Sequence, residues 1–237
     1  YQRCGGSSPL LGTNKSKSQG AVQPLSFLVK GDIMGRIFFH EGDLPDSVKF
    51  TGSVAIDTET MGLEIKRDRL CLVQLSAGDG DCHIVRFKKG QYDAPNLKAL
   101  LTDSKVLKIF QYARFDVAAM YRYLGVVCAP VYCTKIASKL ARTNAPSHSL
   151  KALCESLLGV ELEKEQQCSD WGADELTPEQ LKYAANDVLY LHRLKEKLDV
   201  LLEREDRAEC AKACFDFLPN IGKMDVAGFA CEYVFVH

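Results

Sequence analysis

The sequence has no run of about 18 or more apolar residues, the length at which an apolar stretch becomes a candidate membrane-spanning helix. It also lacks an excess of charge of either sign, because 30 Lys and Arg residues face 31 Asp and Glu residues. We therefore expect no membrane span and no polycationic nucleic-acid binder. Any contact with nucleic acid must come from a local basic surface.

An apolar signal-peptide core is also missing from the start of the sequence, although the chain contains 10 cysteines. A disulfide-rich secreted protein is therefore not the expected class. Cys71 and Cys82 lie inside strand-like apolar runs, where a small thiol side chain suits a buried position. The pattern favours reduced cysteines in a cytoplasmic protein.

Composition and length are those of an ordinary globular protein, with 46% hydrophobic residues among 237. Residues 1–33 differ from the remainder because they are rich in Gly and Ser and contain no acidic residue before Asp32. We expect a flexible N-terminal extension at 1–33, a globular domain at 34–204 and a helical tail at 205–237. A transit sequence is the alternative for the first segment, although the amphipathic arginine face of such sequences is missing.

Two acids follow the apolar strand-like run Ser53–Ile56. Asp57 and Glu59 are two residues apart, and residues with this spacing on a strand point to the same face of a sheet. Their carboxylates are therefore expected to project side by side. Such a pair alone is common at solvated strand ends and does not indicate a function.

Two further acids occupy comparable positions. Asp116 comes shortly after the strand-like run Val106–Phe110, and Asp187 lies four residues after Tyr183 in a strongly helical segment. A spacing of four places Tyr183 and Asp187 on one helix face. Crowded carboxylates repel one another unless a cation neutralises them, and Mg²⁺ and Mn²⁺ prefer oxygen ligands. A pair of such ions can clamp the attacking and leaving oxygens of a phosphoryl transfer, so the ordered set indicates a metal-dependent nuclease.

The order of apolar runs predicts an α/β fold with a mixed sheet, a hairpin-like start and parallel crossovers later. The predicted strands are Ser53–Ile56, Leu70–Leu75, Cys82–Phe87 and Val106–Phe110, and the predicted early helices are Asn96–Leu101 and Phe115–Leu124. Thr177, Pro178 and Gln180 form a capping-box pattern that begins a helix, and we expect this helix to continue past Leu202. The C-terminal half should be mostly helical.

The motifs Asp57-Thr58-Glu59, Ala113-Arg114-Phe115-Asp116 and Tyr183-Ala184-Ala185-Asn186-Asp187 resemble those of the DEDD superfamily of 3′-5′ exonucleases, in its tyrosine subclass. The chain is most similar to ribonuclease D, from about Ile37 to about Leu202. Further matches are Cys133-Thr134-Lys135-Ile136-Ala137, Ser149-Leu150-Lys151-Ala152-Leu153 and Gln167-Cys168-Ser169-Asp170-Trp171. The resemblance implies a ribonuclease-H-like mixed sheet flanked by helices. It also implies an exonuclease domain at 34–204, in a short form without the C-terminal helical accessory domain.

The resemblance implies a role for each acid in a mechanism with two divalent cations, either Mg²⁺ or Mn²⁺. Asp57 would bridge both ions, and Glu59 and Asp187 would complete the ion that activates water. Asp116 would serve the ion near the leaving 3′ oxygen. Tyr183, with a reference pKa of about 10, would orient the attacking water, and its alternative is a packed helix tyrosine.

Residues near these motifs are candidates for contact with the substrate. Met61 and Leu63 either brace the terminal nucleotide or belong to the core. The stripe of Lys135, Lys139 and Arg142 is either a solvated face or a track for the phosphates of a single strand. Trp171 either stacks on a base or packs inside the protein. The candidates are Thr60, Met61, Leu63, Gln111, Phe115, Lys135, Lys139, Arg142, His148 and Trp171.

We interpret the chain as a 3′-5′ exoribonuclease that releases nucleoside 5′-monophosphates from single-stranded RNA 3′ ends, with tRNA and other structured RNAs as the implied substrates. A DNA exonuclease is the first alternative, because the 2′-hydroxyl that distinguishes RNA can be contacted by backbone groups anywhere in a pocket. A nucleic-acid-binding scaffold on an inactive nuclease fold is the second, and the complete set of five motif residues argues against it. The sequence indicates no oligomeric state.

Overall fold

The computed structural model describes residues 25–29, 33–162, 169–229 and 234–235 of the chain. Its strands are β1 (Leu25–Val29), β2 (Ile33–Glu41), β3 (Ser53–Thr60), β4 (Leu70–Ser76), β5 (Cys82–Arg86), β6 (Leu107–Phe110) and β7 (Val131–Cys133). Its α-helices are α1 (Pro95–Thr102), α2 (Ala113–Leu124), α3 (Thr134–Ala141), α4 (Leu150–Leu153), α5 (Pro178–Leu189), α6 (Leu191–Arg204) and α7 (Ala208–Ala227). A π-helical turn, Cys154–Leu158, continues α4.

One mixed sheet contains the strands in the order β1-β2-β5-β4-β3-β6-β7. β3, β4 and β5 follow one another as antiparallel neighbours, whereas β6 lies parallel to β3 and β7 lies parallel to β6. The helices α1 and α2 connect the later strands. The predicted class, an α/β mixed sheet flanked by helices, is therefore confirmed.

The sheet begins earlier in the chain than the sequence predicted. β1 pairs antiparallel with β2, and β2 pairs parallel with β5, so residues 25–29 and Ile33 of the predicted flexible extension form strands. Residues 1–24 and 30–32 of that extension lie outside the described residues. The apolar content of Leu25–Val29 and Ile37–Phe39 was a strand signal that the interpretation overlooked.

The core lies where the helices cover the central strands. Every residue of β4 is buried, as expected for an apolar strand covered on both faces. Helix α5 packs on β3, β4 and β5, while α2 packs on β3, β4, β6 and β7. The strand that carries the first two acids therefore lies in the middle of the sheet and is held by helices of both later motifs.

The helix of the third motif begins as predicted. The Thr177 side chain accepts a hydrogen bond from the Gln180 backbone, and the Gln180 side chain accepts one from the Thr177 backbone, which completes the capping box. The expected continuous helix past Leu202 is wrong, because it is divided at Tyr190 into α5 and α6. Tyr190 stays in the broad right-handed helical region, but its dihedral angles (φ −102°, ψ −8°) depart from those of an ideal helix. After this break, α6 packs on α3 and the π-helical turn.

The tail after residue 204 contains α7, which packs on α2 and β7. The Arg114 guanidinium donates two hydrogen bonds to the Asp225 carboxylate, Nε to Oδ2 at 2.7 Å and Nη2 to Oδ1 at 2.8 Å. Gly222 lies at the contact, where an added Cβ would meet Val117 Cγ2 at 2.9 Å and the Ala118 nitrogen at 3.1 Å. This close approach holds α7 against the helix that carries Asp116.

The cysteines in the described part of the chain are all free, and they are Cys71, Cys82, Cys128, Cys133, Cys154, Cys210 and Cys214. Burial raises the pKa of the Cys128 and Cys154 thiols to about 12. Across the described ranges, no helix combines the length and the apolar character needed to cross a membrane.

Gly222→Val is expected to lower the free energy of unfolding by about 1–3 kcal/mol, because the added side chain has no space between α7 and α2. Urea denaturation followed by circular dichroism measures the loss. Asn220→Ala, at an exposed position of the same helix, is the matched control and should not destabilise the protein. Equal stability of Gly222→Val and wild type would show that the two helices are not in close contact.

Candidate active site

Three carboxylates from two elements approach one another beside the central strand. Asp57 and Glu59 come from β3 and Asp187 from α5, and one oxygen of each lies within 4.8 Å of the others. The alternation of β3 aims the first two side chains to one face, and the packing of α5 on β3 brings the third to them. This group is close enough to share a divalent cation.

Asp116 adds a fourth carboxylate from the first turn of α2, where the helix dipole favours a negative charge. It is only 4% exposed. The Thr58 hydroxyl donates a hydrogen bond of 2.7 Å to its carboxylate. Because Thr58 lies between Asp57 and Glu59, this bond ties α2 directly to the strand of the first motif.

Burial raises the pKa of each of the four acids, and repulsion within the cluster adds to the shift for all except Asp116. The pKa values of Asp57 and Glu59 lie well above the usual range for carboxyl groups. Those of Asp116 and Asp187 are raised to about 7, and for Asp116 the hydrogen bond from Thr58 acts against the increase. A bound cation would favour the ionised forms of these acids. Because all four possible ligands are carboxylates, the site fits hard ions such as Mg²⁺ and Mn²⁺, which prefer oxygen ligands.

A cavity of about 600 Å³ opens over the acids. The residues that line it are Asp57, Thr58, Glu59, Thr60, Met61, Gly62, Leu63, Gln111, Tyr112, Phe115, Asp116, Leu150, Ser169, Trp171, Tyr183 and Asp187. All five predicted catalytic residues are among them. Met61 and Leu63 are 48% and 85% exposed, so the core-packing alternative for these two residues is wrong.

Gln111 and Trp171 also line the cavity, in different ways. Gln111 donates a hydrogen bond of 2.9 Å to the His148 carbonyl and accepts one from the Thr134 hydroxyl, so its amide is held in place. Trp171 is only 3% exposed, and its ring lies 6.1 Å from the Tyr183 ring. The structure therefore favours packing over base stacking for Trp171, whose ring packs beside the Tyr183 ring.

The remaining candidates form a separate basic group of Lys135, Lys139, Arg142 and His148, none of which lines the cavity. Burial lowers the pKa of His148, and the charges of the other three residues lower it further. These residues are therefore neighbours, as the predicted stripe requires. The bond from Gln111 to the His148 carbonyl connects this basic group with the cavity.

The predicted catalytic and substrate-contact residues did not include five of the lining residues, which are Thr58, Gly62, Tyr112, Leu150 and Ser169. Tyr112 is 48% exposed, and the Lys135 ammonium lies 4.2 Å from the centroid of its ring. An aromatic residue directly before the second motif was the available signal. Leu150 and Ser169 lie within the further matches to ribonuclease D, which were the available signal for these two residues.

Carboxylates from a central strand and two helices, gathered beside an open cavity, are the arrangement of metal-dependent phosphoryl-transfer enzymes. Residues 42–203 match a family model described as a 3′-5′ exonuclease. The chain therefore belongs to the 3′-5′ exonuclease family, and the predicted resemblance to ribonuclease D-like DEDD exonucleases is confirmed.

One solved structure and two curated proteins that are similar to this chain support this assignment. The solved structure of Brucella melitensis NrnC is 50% identical, with a TM-score of 0.82 over 85% of this chain and 98% of that chain. Ribonuclease D from Acidiphilium cryptum is 33% identical over 156 residues, 66% of this chain and 39% of that protein. DNA polymerase I from Aquifex aeolicus is 35% identical over 195 residues, 75% of this chain and 32% of that protein. The chain thus spans well under half the length of these two curated relatives.

Asp187→Asn is expected to raise the melting temperature of the protein in chelator at pH 7.5 and to reduce the increase that Mn²⁺ produces. A carboxyl group whose pKa is raised by folding stabilises the fold at low pH, and this stability is lost as the pH rises through about 7. The gain should therefore shrink at pH 5, where the native carboxyl is protonated. A cation at a hundredfold excess over its Kd adds about 2.7 kcal/mol to wild type.

Thermal melts of wild type and variant at both pH values, with chelator and with Mn²⁺, measure these effects. Glu203→Gln, an exposed acid on α6, is the control for loss of a charge outside the cluster. If Mn²⁺ shifts wild type and Asp187→Asn equally, the acids do not form a shared metal site.

Proposed function

We propose that this chain is a metal-dependent 3′-5′ exoribonuclease that releases nucleoside 5′-monophosphates from RNA 3′ ends. The observation that carries the proposal is the approach of Asp57, Glu59 and Asp187 to within 4.8 Å beside an open cavity of about 600 Å³. A metal-dependent nuclease needs acids that hold its cations, and the cavity leaves these acids accessible to the end of a nucleic-acid strand.

We assign the four acids to two cations, which supply Lewis acidity and an activated water when bound. Asp57 would be the ligand shared by the two cations, because its carboxyl group interacts with those of Asp116, Asp187 and Glu59. Glu59 and Asp187 would hold the cation that activates water, and Asp116 would hold the other cation. A solved structure of Brucella melitensis NrnC contains bound Mg²⁺, which supports Mg²⁺ as one suitable ion.

Tyr183 is the residue that would orient the attacking water. It lies one helical turn before Asp187 on α5, and both side chains line the cavity. The buried Trp171 ring beside it limits the positions that the phenol can adopt. A neutral phenol can direct a water molecule by hydrogen bonding without acting as an ionised base.

RNA is the substrate that the relatives favour. Ribonuclease D proteins are among them, and NrnC has been solved with bound pGG. The exposed Met61 and Leu63 would contact the base and sugar of the terminal nucleotide. The basic group beyond Gln111 would attract the phosphates of the preceding nucleotides. Within RNA, we propose tRNA and other structured-RNA 3′ ends as substrates, with short oligoribonucleotides as the alternative that bound pGG supports.

DNA is the second candidate substrate, because DNA polymerase I is 35% identical to this chain over 195 residues. The same four acids would perform the same hydrolysis on either polymer. The sugar 2′-hydroxyl therefore distinguishes the two candidates, and a direct comparison of matched strands is required.

Wild type is expected to shorten 5′-labelled single-stranded RNA progressively from its 3′ end in Mg²⁺ or Mn²⁺. Matched DNA should be cut more slowly. The same RNA with a 3′-phosphate should resist, because the terminal pocket is expected to hold a free 3′-hydroxyl. A tRNA precursor and a dinucleotide, assayed in parallel, separate the two classes of RNA. Denaturing gels of time courses show the products.

Asp57→Asn is the control in this assay, because it removes the charge of the shared ligand at nearly constant volume. It should reduce the rate to background while circular dichroism stays normal. A ladder of products on DNA alone would show that the protein is a DNA exonuclease. Absence of cleavage of every substrate by wild type would favour a nucleic-acid-binding scaffold. Retained activity of Asp57→Asn would refute the shared-ligand role.

Tyr183→Phe is expected to lower kcat by ~10²–10³-fold, because it removes a positioned hydrogen-bonding group. The affinity for Mn²⁺ should not change, since no metal ligand is lost. Single-turnover kinetics and Mn²⁺ titration measure the two quantities. Tyr190→Phe, which removes a buried hydroxyl at the end of the same helix, should have normal kcat. A normal rate for Tyr183→Phe would leave this residue with a packing role alone.

A further inference from the structure

A buried amide lies beside the acid cluster on the neighbouring strand. Gln74 of β4 is 0% exposed and stands directly opposite Asp57 in the antiparallel register of β3 and β4. Side chains of directly opposite residues lie on the same face of a sheet, with Cβ atoms about 4.5–5.5 Å apart. The Gln74 side chain is therefore a direct neighbour of the Asp57 side chain.

The amide has no hydrogen-bond partner among the described residues, either at Oε1 or at Nε2. Buried polar groups without a partner reduce stability and are few in native proteins. The sheet itself does not require a polar residue here, since Leu72 occupies the matching place opposite Glu59. Gln74 is thus a polar residue whose presence the packing of β4 does not explain.

The register also limits what the amide can meet. Two residues lie directly opposite Gln74, Asp57 on β3 and Ile84 on β5, and of these two only Asp57 has an acceptor in its side chain. Helix α5 packs on all three strands. The register therefore places the amide beside the Asp57 carboxylate.

We propose that Gln74 is a positioning residue whose Nε2 donates a hydrogen bond to the Asp57 carboxylate when that carboxylate binds a cation. The inference rests on the proposed function, since it assumes that Asp57 is a metal ligand. Carboxylates that bind metals are themselves usually hydrogen-bonded, and these bonds fix their orientation. An ionised carboxylate is also a stronger acceptor than a neutral one. Gln74 would thus hold Asp57 in the orientation that the other acids need.

Gln74→Leu tests the proposal through metal binding and stability, measured separately. The variant should bind Mn²⁺ at least ~10-fold more weakly in calorimetric titration, because partners of metal ligands contribute this much to affinity. Its melting temperature in chelator should equal or exceed that of wild type, because an apolar side chain replaces an unpaired amide. Gln74→Met, of similar volume and greater flexibility, should give the same result and guards against a folding failure of the leucine variant.

Ile84→Val is the matched control, because it alters packing on the other side of Gln74 without changing a polar group. It should lower the melting temperature in chelator and leave the Kd for Mn²⁺ unchanged. Wild-type Mn²⁺ affinity in folded Gln74→Leu would overturn the proposal while leaving the proposed function intact. A weaker affinity together with a lower melting temperature in chelator would make Gln74 a packing residue and also overturn it. Failure of wild type to bind Mn²⁺ would overturn both.

Discussion

The burial of four neighbouring carboxylates is the constraint on which the rest of the site depends. Burial raises the pKa of each acid, and repulsion from the other acids raises the pKa of Asp57, Glu59 and Asp187 further. The fold holds them together by placing each on a supported element. β3 is paired on both sides, the Thr58 hydroxyl ties Asp116 to β3, and a capping box fixes the start of the helix that carries Asp187.

Two apolar side chains are exposed at the cavity because the segment that carries them is anchored to α2. The segment after β3 carries Met61 and Leu63, and the Tyr123 hydroxyl of α2 lies 3.1 Å from the Ile65 carbonyl and 3.0 Å from that of Asp68. This anchoring keeps the segment against α2 while Leu63 remains 85% exposed. The segment therefore presents two apolar side chains at the cavity, although neither belongs to the core.

Local rules predicted much of the site, because the relevant spacings are short. Alternation on a strand placed Asp57 with Glu59, a spacing of four on a helix placed Tyr183 with Asp187, and the capping box defined the helix start. The central strands and the mixed α/β class followed from apolar runs. Family resemblance, rather than spacing, supplied the expectation that the three motifs meet.

Features that depend on distant parts of the chain were not predicted. The strand signals at Leu25–Val29 and Ile37–Phe39 do not specify that β1 pairs with β2 and β2 with β5, and no sequence signal marks the break at Tyr190. In the sequence, Gln74 is an ordinary polar residue in an apolar strand, and only the strand register shows that it lies opposite Asp57. The basic group was recognised as a stripe, but its position outside the cavity depends on how α3 packs.

The break at Tyr190 also separates two helices with different packing partners. α5 packs on the sheet and presents Tyr183 and Asp187, whereas α6 packs on α3 and the π-helical turn. A change in the direction of the chain at Tyr190 would therefore alter what α6 packs against without requiring a change in the helix that presents Tyr183 and Asp187.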